Sequence, residues 1–281
     1  MVKIIVCASI ILALCVVIVF NNNHISISKF NLKSEKIPKS FDGLKIVHLS
    51  DLHSKKFGNG NCKLIKKIDN INPDVIFMTG DMTSKKSCNF YQIIELVKNL
   101  SMKYKVYYSF GNHEMAQKYN NLKSLRKKLE QCGAIVLFDK YVDFERNNEK
   151  IRIYGFNFRF NMEPRKNETI LDEKYVSIIK NSIGKFDKNM YNILLTHDPL
   201  NYELYDYIGA DLVFSGHVHG GMMRIAGIGI LSPRRKFFPK YSAGIYKGKN
   251  GKMIVSRGLG NSSFKLRVNN FPDIPVITLL R

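Results

Sequence analysis

The chain contains no tryptophan, so neither a tryptophan belt nor an indole cage belongs to its mechanism. Cysteine is scarce: of five, Cys7 and Cys15 lie inside an apolar N-terminal run, leaving Cys62, Cys88 and Cys132. An odd remainder excludes a disulfide-stapled scaffold, and the lack of any Cys-x-x-Cys pair excludes a zinc ribbon. Acidic residues are few, 23 against 44 Lys plus Arg, which gives a formal charge of +21 over 281 residues. Such an excess points to polyanionic surroundings: nucleic acid, an anionic membrane surface or phosphorylated substrates. A compositional bias toward Lys, Asn and Ile, with lysines on solvated faces, explains the same excess without a partner. Linkers, internal repeats and low-complexity tracts are also missing, apart from Asn21 to Asn23. At 45% hydrophobic residues the composition is not that of a disordered chain, and the length suits one large α/β domain or two small ones.

What is present begins with an apolar N-terminus. Ile4 to Phe20 carry no charge and no strongly polar side chain. These seventeen residues, at about 1.5 Å each, give roughly 25 Å of helix, near the short end of what spans a bilayer core of about 30 Å. A cleaved signal peptide would carry a shorter apolar core and a small-residue cleavage box, whereas Asn21, Asn22 and Asn23 follow Phe20. Residues 1–23 are therefore expected to form an uncleaved transmembrane anchor, with 24–281 as the domain behind it. Lys3 favours a cytoplasmic N-terminus, while Lys29, Lys33, Lys36 and Lys39 pull the other way. Long translocated domains largely ignore loop charge. The short N-terminal flank thus predicts a single-pass protein of the cell membrane with its domain on the extracytoplasmic side.

Beyond the anchor, Ile25 and Ile27 alternate with Ser26 and Ser28, an edge-strand pattern closed by Pro38. The chain then alternates strands over 44–49, 74–79 and 105–110 with helices over 61–70, 91–100 and 121–131. Repetition at this spacing means βαβ units and a largely parallel sheet. The second half predicts a hairpin over 141–146 and 150–156, then strands over 192–196 and 211–215 around a short helix near 201–207. Three further strands are expected over 241–246, 252–256 and 274–279.

Five short motifs each follow a predicted strand. They are Asp51-Leu52-His53, Gly80-Asp81, Gly111-Asn112-His113-Glu114, Thr196-His197-Asp198-Pro199 and Gly216-His217-Val218-His219-Gly220-Gly221. In open α/β sheets, sites assemble at the carboxyl ends of strands. Asp-x-His or His-x-His on an extended segment sets both side chains on one face, so that both reach one cation. Flanking glycines let the backbone turn and approach closely. Each motif alone also reads as an ordinary turn or loop; order and placement together make the signal. His48, inside the first of these strands, reads as a core residue rather than a ligand.

Taken together, Asp51-x-His53, Gly80-Asp81, Gly111-Asn112-His113-Glu114, His197 and Gly216-His217-x-His219 resemble the calcineurin-like metallophosphoesterase signature, over about Leu44 to His219. The similarity continues through Phe238-Pro239-Lys240-Tyr241 and Ser256-Arg257-Gly258-Leu259-Gly260; with the N-terminal segment it is similar to a bacterial membrane-associated branch. The resemblance implies an α/β fold of four layers, αββα, in which two mixed β-sheets pack face to face with helices outside. It implies two divalent cations, one held by Asp51, His53 and His219 and the other by Asn112, His197 and His217, with Asp81 bridging both. Imidazole and carboxylate donors suit manganese foremost, and iron or zinc better than calcium. By the same resemblance a hydroxide shared by the cations attacks phosphorus in line, and His113, not a ligand, protonates the leaving oxygen. Glu114 and Asp198 are expected to orient imidazoles, and Arg257 and Arg267 to help hold phosphate. Where relatives of this branch often carry Gln after the last Gly-Gly, this chain has Met222.

The implied function is a membrane-anchored phosphoesterase acting on a phosphate ester or pyrophosphate, a phosphodiester of a lipid or envelope polymer foremost. A nuclease or nucleotide phosphodiesterase on the same fold is the alternative; without an added nucleic-acid domain, nucleic acid is not the expected partner. A catalytically inactive binding module is opposed by the full set of ligand types. The run Pro233-Arg234-Arg235-Lys236-Phe237-Phe238 reads as a lip for anionic headgroups, or as a surface loop with its aromatics tucked into the sheet.

Overall fold

A computed structural model describes residues 2–85, 89–232, 237–261 and 267–281 of the chain. Helix α1 (Val2–Asn23) leads into β1 (Ser26–Lys33), β2 (Lys45–Leu49), α2 (Cys62–Ile71), β3 (Val75–Met78), α3 (Tyr91–Ser101) and β4 (Lys105–Tyr108). Next come α4 (Asn112–Met115), α5 (Tyr119–Gln131), β5 (Ile135–Val136), β6 (Lys140–Arg146), β7 (Glu149–Phe156) and α6 (Glu173–Ile183). β8 (Asn192–Thr196), α7 (Tyr202–Tyr207) and β9 (Leu212–Ser215) precede a small hairpin, β10 (Arg224–Ile225) and β11 (Ile228–Gly229). The chain ends on β12 (Gly244–Lys247), β13 (Lys252–Val255) and β14 (Asp273–Leu280). The helix α6 is not among those expected, although Tyr175, Val176, Ile179 and Ile183 bury one face of it.

Two six-stranded sheets carry the architecture, in the orders β1-β14-β2-β3-β4-β5 and β12-β13-β9-β8-β7-β6. Both are mixed, as the resemblance implies, and the first is largely parallel, as the βαβ spacing predicts. β14 runs antiparallel to β2, and β12 and β6 run antiparallel to their neighbours β13 and β7. The edge strand expected near Ile25 is β1, paired on one side with the C-terminal β14.

The strand period of two sorts the side chains into layers. Ile46, Val75 and Phe77 meet Ile153, Ile193, Leu195 and Phe214 in a buried core between the sheets. Val47, Ile76 and Met78 face the other way, onto Leu64 and Ile68 of α2 and Leu96 and Leu100 of α3. Tyr154, Leu194, Val213 and Met253 pack on Val176, Ile179 and Ile183 of α6 and Leu204 of α7. The layers are therefore αββα. Fully burying one such side chain is worth about 1.5–3 kcal/mol. A one-residue slip would exchange the two faces of a strand, so the register is firmly held.

That register positions the site. β2, β3 and β4 are parallel, with Leu49 opposite Met78 and Met78 opposite Tyr108, so their carboxyl ends are level.

The N-terminal helix forms, with Ile5, Val6, Leu12, Val16, Val17 and Val19 exposed. Among the described residues, however, no helix is long and apolar enough to cross a membrane, so the transmembrane anchor expected over 1–23 is not supported. The last turn, Asn21-Asn22-Asn23, is polar and engaged by the folded part. Lys55 Nζ donates to the Asn22 carbonyl, Asn261 Nδ2 donates to Asn22 Oδ1 at 2.7 Å, and Phe20 meets Phe271 edge-on at 5.8 Å. Residues 233–236 of the basic run lie outside the described residues. Phe237 and Phe238 beside them are exposed, not tucked into the sheet.

Candidate metal centre

Because β2, β3 and β4 end level, the segments that follow them lie side by side. Asp51 N–H donates to Gly80 O and His53 N–H to Asp81 O, both at 3.0 Å. The second sheet brings its own loops to the same place: Gly216 N–H donates to His197 O at 3.2 Å, and His217 N–H to Asp51 Oδ2 at 3.1 Å. A side chain would forbid the tightest approach. Gly80 has φ +85°, and a Cβ there would overlap the backbone of Gly111.

Asp51, His53, Asp81, His217 and His219 all have positive φ, between 48° and 71°. The pairs Asp51/His53 and His217/His219 thus converge from left-handed turns, not from the shared face of an extended segment. The chain has already left the sheet when it reaches each first ligand. Left-handed backbone costs on the order of 1 kcal/mol or more outside glycine, and Asp, Asn and His tolerate it best. Such strain persists only where the surroundings over-determine it, and here it gathers at one spot.

Three overlapping groups result, each with its donor atoms within 4.8 Å of one another: Asp51, His53 and His219; Asp81, His197 and His217; and His53, Asp81 and His113. In the first, His219 Nε2 lies 3.2 Å from Asp51 Oδ1 and 3.0 Å from His53 Nε2. In the second, His197 Nε2 lies 3.2 Å from Asp81 Oδ2. The carboxylates join the two. Asp51 Oδ1 is 3.7 Å from His197 Nε2, and Asp81 Oδ2 is 3.9 Å from His53 Nε2. Asn112 opens α4, one residue before His113, whose N–H donates to Asp81 Oδ1 at 2.7 Å. Asn112 Oδ1 is buried without a hydrogen-bond partner. A buried carbonyl oxygen left so costs about 1–3 kcal/mol, which a cation would relieve.

The outer ring nitrogens decide where the protons sit. His197 Nδ1 lies 2.7 Å from the Thr79 carbonyl oxygen, so Nδ1 donates and Nε2 faces the carboxylates. His113 has the opposite arrangement. Lys85 N–H donates to its Nδ1 at 2.9 Å, which puts the proton of the neutral ring on Nε2, 3.7 Å from Asp81 Oδ2.

Charge follows the same geometry. Burial opposes protonation of His197, but Asp81 and Asp51 outweigh it and push its pKa up to about 10. A proton on Nε2 then stands between carboxylates where a cation would stand. Burial, aided by His219, drives His53 down to about 3, so it is neutral and offers a lone pair. Burial lowers His113 too, against the pull of Asp81. For Asp51 and Asp81 burial works toward protonation, yet the surrounding imidazoles prevail and hold both below the ordinary carboxylate range. Ionised carboxylates, neutral imidazole and an orphan amide oxygen are a donor set that fits divalent cations.

Five neighbours differ from expectation or confirm it. Glu114 holds backbone, not an imidazole: its buried carboxylate accepts the N–H groups of Asp81, Met82, Thr83 and Gly111 at 2.8–3.1 Å and the Tyr108 hydroxyl at 3.2 Å. Asp198 caps the turn at 199–201, accepting Leu200 N–H at 2.9 Å. Arg267 is buried against the carbonyls of Arg257, Gly258 and Asn270, and Arg257 donates to Ser26, Ser28 and Asp273, so the structure gives neither a place among the centre's donors. His48 is a core residue as expected, 2.8 Å from Thr79 Oγ1 and edge-on to Phe214. One neighbour escaped notice: Phe158 packs on His217 and His197, with ring centroids 5.4 and 6.2 Å away. Its only signal was the alternation Phe156, Phe158, Phe160.

An αββα sandwich with histidines and carboxylates gathered at strand ends defines a metal-dependent hydrolase site. Residues 44–221 match the family model described as calcineurin-like phosphoesterase, and the chain belongs to that family of metal-dependent phosphoesterases. It is similar to an uncharacterized metallophosphoesterase of Aquifex aeolicus, 27% identical over 90% of this chain and 91% of the relative. It is also similar to phosphodiesterase YaeI of Escherichia coli, 24% identical over 84% of this chain and 82% of the relative. Among solved structures, phosphopantetheinyl hydrolase PptH of Mycobacterium tuberculosis resembles it with a TM-score of 0.49 at 12% identity, over 76% of this chain and 89% of that one.

Proposed function

We propose that the chain hydrolyses a phosphodiester linkage of a lipid or envelope polymer at a centre of two divalent cations, manganese foremost. The observation that carries this reading is the pair of clusters joined through Asp51 and Asp81. Asp51, His53 and His219 would hold one cation, Asn112, His197 and His217 the other, and Asp81 both. Bound cations supply Lewis acidity and bring the pKa of a coordinated water toward about 7. The remaining work belongs to the chain. Asn112 adds a donor without charge, which limits the negative charge of the centre and leaves attraction for a phosphate. His113 turns Nε2 to the centre, and as an imidazolium it would stabilise the developing charge and pass the Nε2 proton to the leaving oxygen, a state in which Lys85 N–H no longer donates to Nδ1. Glu114 holds the loops of Asp81 and His113 at fixed spacing, and Phe158 excludes water beside His197 and His217. The name of the Escherichia coli relative supports the diester preference.

We further infer attachment to a membrane through α1, with the catalytic part on the extracytoplasmic side. The exposed apolar residues of α1 and the +21 charge support this. A reporter fused after Arg281 tests the side. For the chemistry, the chain should cleave a chromogenic phosphodiester with manganese and lose that activity in EDTA. Metal-loaded protein that cleaves no phosphomonoester, phosphodiester or pyrophosphate would overturn the reading.

A further inference from the structure

On the far side of the His219 loop lies a second feature, which the metal centre does not use. A pocket of about 350 Å³ opens between β1, the β10–β11 hairpin and β12, and Arg224 and Arg257 both line it. Ser28, Asn269 and the Asp273 carboxylate line it as well. Asp273 is already committed: Oδ1 takes Arg257 at 2.9 Å and the Ser28 hydroxyl at 2.9 Å. Arg224 donates only to carbonyls, to Gly220 O at 2.7 Å and to Gly227 O, and has no carboxylate within ion-pairing distance among the described residues. Two guanidiniums against one shared carboxylate leave an uncompensated positive charge facing a pocket. Arginine in that position matches the planar, multidentate demands of a phosphate.

The rim is of another kind. Arg224 and Ile225 pair with Gly229 and Ile228 across the turn Ala226-Gly227, where both central residues have positive φ, 48° and 82°. That is the tight turn a two-residue hairpin loop requires. It projects Ile225 and Ile228 at 63% and 58% exposure, aliphatic side chains that none of the described residues covers. The hairpin is stitched to the segment that receives α1: Arg224 N–H donates to Val268 O at 3.0 Å, and Phe271, three residues on, packs against Phe20 and His24. The exposed apolar end of α1, the aliphatic hairpin tip and the arginine pocket are thus linked through one short segment. A free phosphate would explain the arginines but not the isoleucines.

We propose that this hairpin docks on an anionic phospholipid surface, with a headgroup phosphate held between Arg224 and Arg257 and Ile225 and Ile228 lodged among the acyl chains. The proposal rests on the membrane reading of α1 and is independent of catalysis. Because the chain has no tryptophan, Ile228→Trp reports on the hairpin alone. The full-length variant, with metal chelated, is mixed with vesicles of phosphatidylglycerol and phosphatidylcholine, or of phosphatidylcholine alone. Co-sedimentation and tryptophan emission are then read together. Emission should shift to the blue and be quenched by brominated lipid with the anionic vesicles, far less with the neutral ones. Adding Arg224→Gln should weaken that response about fivefold, the expected effect of one surface cation, and Arg224→Lys should restore most of it. Emission of the vesicle-free variants checks that the hairpin is intact. Sedimentation without a tryptophan shift overturns this proposal and leaves α1 as the membrane contact; no sedimentation overturns both. A shift of equal size on neutral vesicles, or a response to inorganic phosphate alone, overturns the headgroup assignment.

Discussion

Glu114 Oε2 accepts the backbone N–H of Asp81 at 2.8 Å, so a side chain from α4, just after β4, fixes the residue that sits between the two clusters. The same oxygen takes Gly111 N–H at 3.0 Å, and Oε1 takes Met82 and Thr83 N–H. One carboxylate thereby clamps the loops of Asp81 and His113. Glu114→Gln replaces one acceptor oxygen by an NH₂ facing N–H donors. Metal affinity should fall about 10–100-fold, as for lost outer partners of metal ligands, with a lower melting temperature. Unchanged affinity by metal titration would show that the clamp does not position Asp81.

In the proposed function His113 supplies a proton and the other histidines of the centre supply lone pairs. His113→Ala should therefore keep its full metal content by elemental analysis while turnover falls about 10²-fold or more. Loss of metal in this variant would make His113 a ligand and sink its role as the acid.

Gly216 has no room for a side chain, because a Cβ would overlap Ser50 Oγ and Asp51 Oδ2. Gly216→Ala should displace the Asp51 carboxylate and empty the site shared with His53 and His219. Metal stoichiometry checks this, since a folded variant with undiminished metal would show the overlap to be relieved elsewhere.

Acid should destabilise the metal-free protein in part through His48. Burial lowers its pKa from 6.5 to about 3, with Asp51 pulling the other way. Between those values the unfolded chain binds the proton that the folded one refuses, so stability rises with pH. The contribution is whole above about pH 6.5 and is lost as pH falls toward 3, on the order of a few kcal/mol. Denaturation midpoints measured with chelator present should show this slope, and His48→Gln should flatten it. Identical slopes would remove His48 from the account.

Much of the fold was legible because its signals are local. The apolar runs around Ile46 and Val47 and around Val75 and Ile76 read as strands, and these strands form as expected, buried on both faces. The place of β14 was not legible, since it inserts between β1 and β2 from the far end of the chain. Nor was the fate of Arg257 and Arg267, because a charged side chain looks the same in sequence whether it meets phosphate or internal carbonyls.

The sequence by itself determined which donors are present and that they follow strands, because side-chain chemistry and strand periodicity are properties of short segments. Tertiary structure decided how those donors are used. Asp51, His53, Asp81, His217 and His219 aim from left-handed turns that only packed neighbours hold in place. His197 and His113 both turn Nε2 to the centre but differ in which nitrogen of the neutral ring carries the proton, because Thr79, 118 residues from His197, supplies an acceptor to one Nδ1 and Lys85 supplies a donor to the other. A tautomer is set by the partner across the fold, and no local pattern encodes that partner.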